Sequence, residues 1–255
     1  SNLQNKKLEL NLSMTENTSS KLPSEAEVVI VGVGGIVGSM LAYWLSELGQ
    51  KNIVGLEKSS VIPSDIASTA HASDFVYNTT HDKLGCWTTA FSRKFYEDNG
   101  FFLKKGGLEI CRKGDDARWE ELKRKVGSGK AFGTNVSLIS ASEAKEKFPL
   151  LEEESLMGAM WDPDAGLVIP RSQDVVSFAV EHAKDKGALK TFTDTPAIDF
   201  EVENGRVTGV HTDKGFIKAD RVVIASGIWG PLMGKKAGVP VPLMPLEHPL
   251  LFFGP

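Results

Sequence analysis

The chain has 255 residues, enough for one large α/β domain or two smaller ones around a sizeable core. Hydrophobic residues make up 41% and charged residues 24%, which excludes disorder over most of the length. The 29 basic and 33 acidic side chains give a net charge of -4, so no nucleic-acid partner is expected.

Cys86 and Cys111 are the only cysteines, which leaves no disulfide framework and no CxxC zinc pattern. A reducing, cytoplasmic setting fits that usage, and no metal site is expected. Residues 1–26 read as a loose, disordered polar tail without an apolar leader core, and Met14 reads as a natural start. Without arginine, the stretch is a poor transit peptide, so a mitochondrial matrix location would need a different N-terminus.

From Val28 to Ser46 no residue is charged, a length that would span a bilayer. Gly32, Gly34, Gly35 and Gly38 crowd its first half, and the apolar period changes after them. That pattern is a strand, a turn and a helix, so no membrane span is expected. Val28-Val29-Ile30-Val31 is a β-branched run suited to a buried strand. Leu41, Trp44, Leu45 and Leu48 then recur at helical spacing, and Gly49 stops the helix. A second apolar run, Ile53 to Leu56, ends at Glu57.

This is a βαβ unit with the chemistry of a dinucleotide site. Backbone N–H groups of a glycine turn can approach a pyrophosphate, and the helix start adds its positive end. Glu57 lies 19 residues after Gly38, where a carboxylate can accept hydrogen bonds from a ribose. The glycines read G-x-G-x-x-x-G, one residue longer than the usual spacing, with Ile36 and Val37 inside the turn. Taken alone, the unit leaves FAD and NAD open.

Residues 64–81 are polar and irregular. Trp87, Phe91 and Phe95, four apart, predict a helix face. Residues 107–111 predict a strand, and 115–125 a charged helix with Trp119 and Leu122 on one side. Ser140 and Glu143 have capping-box spacing before a helix that stops ahead of Pro149. Residues 172–186 predict a helix with Val175, Val176, Ala179, Val180 and Ala183 inward, followed by Gly187. Asn204-Gly205 and Asp213-Lys214-Gly215 mark the turns of a β-meander, and Val222 to Ala225 a buried strand.

Several stretches together resemble the FAD oxidoreductases of the D-amino-acid oxidase superfamily. They are VVIVGVGGIVGSMLAYWLSELG with NIVGLEKS, ASTAHAS, GGLEI, PLL with DPDAGLVIP, GRVTGVHTDKGFIKADRVVIASGIWG, and PLMPLEHPL. Within the superfamily the chain looks most like the flavin half of dimethylglycine oxidase, dimethylglycine dehydrogenase and sarcosine dehydrogenase. The resemblance covers about residues 27–250. It implies an α/β fold: a Rossmann-like, glutathione-reductase-type FAD-binding domain with an inserted α+β substrate domain. Residues 27–85 with 172–238 would form the first, and residues 86–171 with 239–255 an incomplete second.

The resemblance also implies site residues. Ser68-Thr69-Ala70-His71 matches the Ser-Thr-x-His whose histidine carries FAD covalently, and an imidazole nitrogen is a competent nucleophile. Ala225, Ser226, Gly227 and Trp229 match a flavin-contacting A-x-G-x-W element. Lys58 follows the ribose acid, and Pro196 and Ala197 would run near the adenine. His248, in a proline-rich stretch, matches a catalytic histidine that assists amine oxidation. Pro249-Leu250 departs from the Gln-Tyr of dimethylglycine oxidase.

The implied reaction is oxidative demethylation of an N-methylated amino acid such as dimethylglycine or sarcosine, by hydride transfer from the N-methyl carbon to the flavin. O2 or an electron-transfer flavoprotein would accept the electrons, and folate would enter only with a further C-terminal half. The family's flavin half is longer than this chain, so the chain reads as a fragment, expected to be poorly soluble or inactive alone. Three alternatives stay open: a NAD dehydrogenase, an FAD enzyme for another amine such as an opine or proline, and a non-catalytic regulatory subunit on the same scaffold.

Overall fold

The computed structural model describes residues 21–247. In chain order the elements begin with β1 (Glu25–Val31), α1 (Ile36–Glu47), β2 (Ile53–Leu56), β3 (Phe75–Val76), α2 (Lys83–Asp98) and β4 (Phe102–Lys104). Next come β5 (Gly107–Arg112), α3 (Asp116–Ala131), β6 (Ser137–Ile139), α4 (Ala141–Lys147), β7 (Leu156–Asp162) and β8 (Gly166–Val168). The last are α5 (Ser172–Asp185), β9 (Leu189–Phe192), β10 (Ala197–Glu203), β11 (Arg206–Thr212), β12 (Gly215–Ile224) and α6 (Gly230–Lys236). Residues 72–172 form one compact unit, and the described residues on either side of it form another.

The flanking unit is built on a six-stranded sheet in the order β10-β11-β12-β1-β2-β9. β12, β1, β2 and β9 run parallel, and β10 to β12 form an antiparallel meander. β1 is buried from Val28 to Val31, which explains its unbroken β-branched run. Val28, Ile30 and Ile53 pack with Ala42, Val176, Val180 and Ala183 on one face of the sheet. Val29, Val31 and Val54 pack with Phe200, Val210 and Ile217 on the other. The strand order reverses at β1: β2 lies on one side and β12 on the other. In such sheets the crevice beyond the carboxyl ends at that reversal is where ligands bind.

The inner unit holds two three-stranded sheets, β3-β8-β4 and β5-β7-β6. Cys111 and Met160 on the second sheet pack against Leu122 and Val126 of α3, with Val136. Glu109 is buried beside that core, paired to Arg118 at 2.8 Å and to Lys125.

Many expected elements stand where the pattern put them. All five inward residues of α5 are buried. The capping box of α4 is formed: Glu143 N–H donates to Ser140 Oγ at 3.2 Å, and Ser140 N–H donates back to Glu143 Oε2 at 2.8 Å. Asn204 and Gly205 have φ of 53° and 75°, the left-handed pair of a tight hairpin turn.

Other expectations need correction. The runs 216–217 and 222–225 are one strand, β12, whose first half pairs with β11 and whose second half pairs with β1. Val222 to Ile224 are half-buried rather than fully buried. The tail's last residues, Glu25 and Ala26, already pair with Lys218 and Ala219. Residues 72–85 belong to the inner unit, because Phe75 and Val76 pair with β8. Described residues 239–247 belong to the flanking unit, where Val239 N–H bonds Gly234 O at 2.8 Å. Trp87 and Phe91 do lie on a helix, but their rings stack at 5.7 Å and stay exposed, while Phe95 is buried. α3 runs past Lys125 through two glycines. A Cβ on Gly129 would come within 2.7 Å of both Thr79 Cγ2 and Val136 Cγ1, so close packing rather than helix breaking places that glycine.

Candidate functional site

The turn after β1 is shaped by glycines that packing demands. Gly32 has φ +97°, and a Cβ there would meet the Ala225 carbonyl oxygen at 2.6 Å. A Cβ on Gly38 would sit 2.2 Å from Gly32 O, and one on Gly34 would sit 2.5 Å from Glu57 Oε2. Gly35 differs: the nearest atoms are Ala67 Cβ and Thr69 Oγ1, both at 3.7 Å, so the protein itself leaves room for a side chain. Ile36 and Val37 open α1, and Val37 is exposed.

Glu57 is buried just past β2 and holds the turn from below. It accepts the N–H of Gly34 at 2.9 Å, the N–H of Ser59 at 3.0 Å and the hydroxyl of Ser64 at 3.1 Å. No motif spacing picks out Ser59 or Ser64. The only signal for them is the polar stretch that follows the acid. The Glu57 carbonyl accepts Thr195 N–H at 2.9 Å, which sets Pro196 and Ala197, both half-buried, immediately after that contact. Lys58 is exposed, with Nζ 5.2 Å from the centre of the Trp229 ring.

Ser68 to His71 form a single 3-10 turn. Thr69 Oγ1 accepts the N–H of Ile36 at 3.0 Å, so this turn lies on the start of α1, where Gly35 offers no side-chain cap. Ser68 is exposed. His71 is also exposed, and its Nε2 is 3.1 Å from the carbonyl oxygen of Asp65. Asp65 in turn accepts from Ser59 Oγ at 2.5 Å, linking the histidine loop to the Glu57 loop.

On the other side of the turn, Ala225 N–H donates to Val31 O at 2.8 Å. The Ser226 hydroxyl oxygen is shut off from solvent without a hydrogen-bond partner. Gly227 takes φ +52°, and Trp229 is half-buried behind it. The structure thus brings residues 32–38, Glu57, Thr69 and Ala225 to Ser226 to one end of the sheet. His248 lies outside the described residues.

A dinucleotide fits what this end of the sheet shows. The space beside Gly35 is not needed by packing, and the Ser226 hydroxyl lacks a partner. The first turn of α1 turns its positive end toward the same place. Elsewhere the cysteines offer no rival chemistry. Cys86 and Cys111 are free and buried, and burial pushes the Cys111 thiol up. Among the described residues no cluster could hold a metal ion, and no helix is long and apolar enough to cross a membrane.

Residues 27–255 match the DAO family, described as FAD dependent oxidoreductase, and the chain belongs to that family. Human mitochondrial sarcosine dehydrogenase is 29% identical over 253 residues, covering 92% of this chain and 26% of the relative. The mitochondrial pyruvate dehydrogenase phosphatase regulatory subunit of Mus musculus is 30% identical over 245 residues, covering 92% and 27%. Human mitochondrial dimethylglycine dehydrogenase is 30% identical over 230 residues, covering 88% and 26%. The chain therefore spans about a quarter of the length of these curated relatives. Among solved structures, L-proline dehydrogenase from P. horikoshii superposes with a TM-score of 0.75 at 30% identity, over 86% of this chain and 57% of that one.

Proposed function

We propose that this chain carries the FAD-holding part of an enzyme that oxidises an N-methylated amino acid such as sarcosine or dimethylglycine. The observation that carries the reading is the Thr69 bond to Ile36, which lays the Ser-Thr-x-His turn on the glycine loop of a dinucleotide fold. Similarity to sarcosine and dimethylglycine dehydrogenases supports the substrate class.

In this reading the flanking unit holds FAD and the inner unit belongs to the substrate domain. Gly32 to Gly38 admit the pyrophosphate, and Glu57 accepts hydrogen bonds from the adenosine ribose while it holds Gly34. Lys58, Pro196 and Ala197 border the adenosine end. Ala225, Ser226, Gly227 and Trp229 would form the flavin-contacting element that the resemblance implies, with the partnerless Ser226 hydroxyl among them. His71 is the attachment point. Its imidazole would lose a proton and form a carbon–nitrogen bond to the ring methyl, with a second proton and two electrons passing to dioxygen. FAD supplies the two-electron acceptor for a carbon–hydrogen bond beside nitrogen. His248 keeps the substrate amine neutral, as the catalytic proton acceptor.

O2 or an electron-transfer flavoprotein takes the electrons onward, folate intercepts the product only if a further domain accompanies this chain, and the setting is the cytoplasm or mitochondrial matrix. The test is a flavin-loaded full-length protein mixed without oxygen with sarcosine, dimethylglycine, proline and an opine. Bleaching of the oxidised flavin band by an N-methyl amino acid is expected. Bleaching by proline or the opine alone would move the assignment to another amine. Failure with every amine would favour the regulatory reading raised by the phosphatase-subunit relative.

A further inference from the structure

His71 Nε2 lies 3.1 Å from the backbone carbonyl oxygen of Asp65. A carbonyl oxygen only accepts, so the proton of the neutral imidazole sits on Nε2 and the bare lone pair on Nδ1. Among the described residues no group bonds to Nδ1. The carbonyl that makes this choice is itself held in place. Ser59 Oγ donates to Asp65 Oδ1 at 2.5 Å. Ser59 is buried, its N–H donates to Glu57 Oε1 at 3.0 Å, and its carbonyl accepts Asp194 N–H at 3.0 Å. The chain is tied to the glycine turn on either side of Asp65: Ser64 N–H donates to Gly34 O at 2.9 Å, and Thr69 Oγ1 accepts Ile36 N–H at 3.0 Å. All of these residues, His71 included, belong to the flanking unit.

We propose that the flavin is attached through Nδ1 of His71, because the Asp65 carbonyl engages Nε2, and that Asp65, gripped by Ser59, is the positioning residue behind that choice. The proposal rests on the reading of His71 as the attachment point, which by itself leaves either ring nitrogen open. In the step, a bond forms between Nδ1 and the ring-methyl carbon, and one carbon–hydrogen bond of that methyl breaks. The methyl proton and the Nε2 proton are both released. The electron pair left on the ring passes to dioxygen, which takes up two protons and becomes hydrogen peroxide.

For the test, FAD-loaded full-length protein is digested and its flavin peptide isolated. Long-range proton–carbon NMR correlations from the flavin methylene reach histidine Cγ and Cε1 if the bond is to Nδ1, and Cδ2 and Cε1 if it is to Nε2. Correlation to Cγ is expected. Correlation to Cδ2 overturns the proposal and leaves the attachment reading standing. A second readout does not need the bond: nitrogen NMR of labelled His71 in the FAD-free full-length protein is expected to show the proton on Nε2, and a proton on Nδ1 overturns the proposal. Wild-type protein that retains no flavin sinks the attachment reading and the proposal with it, and the tautomer alone then decides whether Asp65 holds the imidazole. Asp65→Ala and Ser59→Ala, which each remove the grip, are expected to lower the Nδ1-linked flavin about fivefold. Asp65→Asn keeps an oxygen acceptor for Ser59 and should restore most of it. Unchanged Nδ1 linkage in both alanine variants overturns the positioning role.

Discussion

Thr69 Oγ1 accepts the backbone N–H of Ile36 across 33 residues of sequence, joining a loop from the far side of β2 to the first turn of α1. Replacing Thr69 by valine keeps the shape and removes the acceptor. The expected loss is about 1 kcal/mol of stability, read as a lower urea midpoint with an unchanged slope. Thr69→Ser keeps the hydroxyl and should recover most of it.

The glycines of the turn should separate into two kinds. Gly32→Ala and Gly38→Ala place a Cβ against backbone, at 2.6 Å from Ala225 O and 2.2 Å from Gly32 O. Both should lower stability by several kcal/mol, measured by thermal unfolding of the apoprotein. Gly35→Ala meets nothing closer than 3.7 Å, so the apoprotein should lose far less stability than those two, about 1 kcal/mol for the poorer N-cap of α1. Loading of the apoprotein with FAD should nonetheless need a higher FAD concentration than in the wild type, because the added methyl fills space kept for the ligand.

Glu57→Gln exchanges an acceptor of three hydrogen bonds for an amide with one oxygen and a donor NH2 group. Gly34 N–H, Ser59 N–H and the Ser64 hydroxyl cannot all be satisfied by it. A loss of about 1–3 kcal/mol is expected, together with weaker FAD binding. Ser64→Ala, which removes one donor, should cost less in the same denaturation assay.

Acid sensitivity should come partly from two surface glutamates. Hydrogen bonds from Lys186 and then His182 hold the Glu47 carboxyl below its ordinary value of 4.5. The Ser140 N–H and hydroxyl do the same for Glu143. A folded-state value below the unfolded one means the unfolded chain takes up protons first. The contribution is complete above about pH 4.5 and is lost as pH falls through the lower folded-state values. Melting temperature measured from about pH 7 down to about pH 3 should fall less steeply in Glu143→Gln and Glu47→Gln.

Much of the sheet that carries the site was legible because its residues satisfy local and long-range demands together. The run Val28 to Val31 is apolar since both faces of β1 are covered, and Asn204-Gly205 turns the hairpin by its own backbone preference. Strands such as β9, with Lys190 exposed among four residues, show no period long enough to read. β7 contains Gly158 and Met160, weak strand signals that make sense only once Trp119 and Leu122 of α3 pack on them. The same holds for the site. Gly32, Gly38 and Glu57 announce themselves by spacing, whereas Ser59 and Ser64 act through partners that sequence distance hides.

The measurement that tests the account most directly is acid precipitation of the FAD-loaded protein beside its His71→Ala variant. The account predicts flavin fluorescence in the washed wild-type pellet, and in the variant flavin that leaves entirely with the supernatant. Wild-type protein that releases all its flavin into the acid supernatant would contradict it.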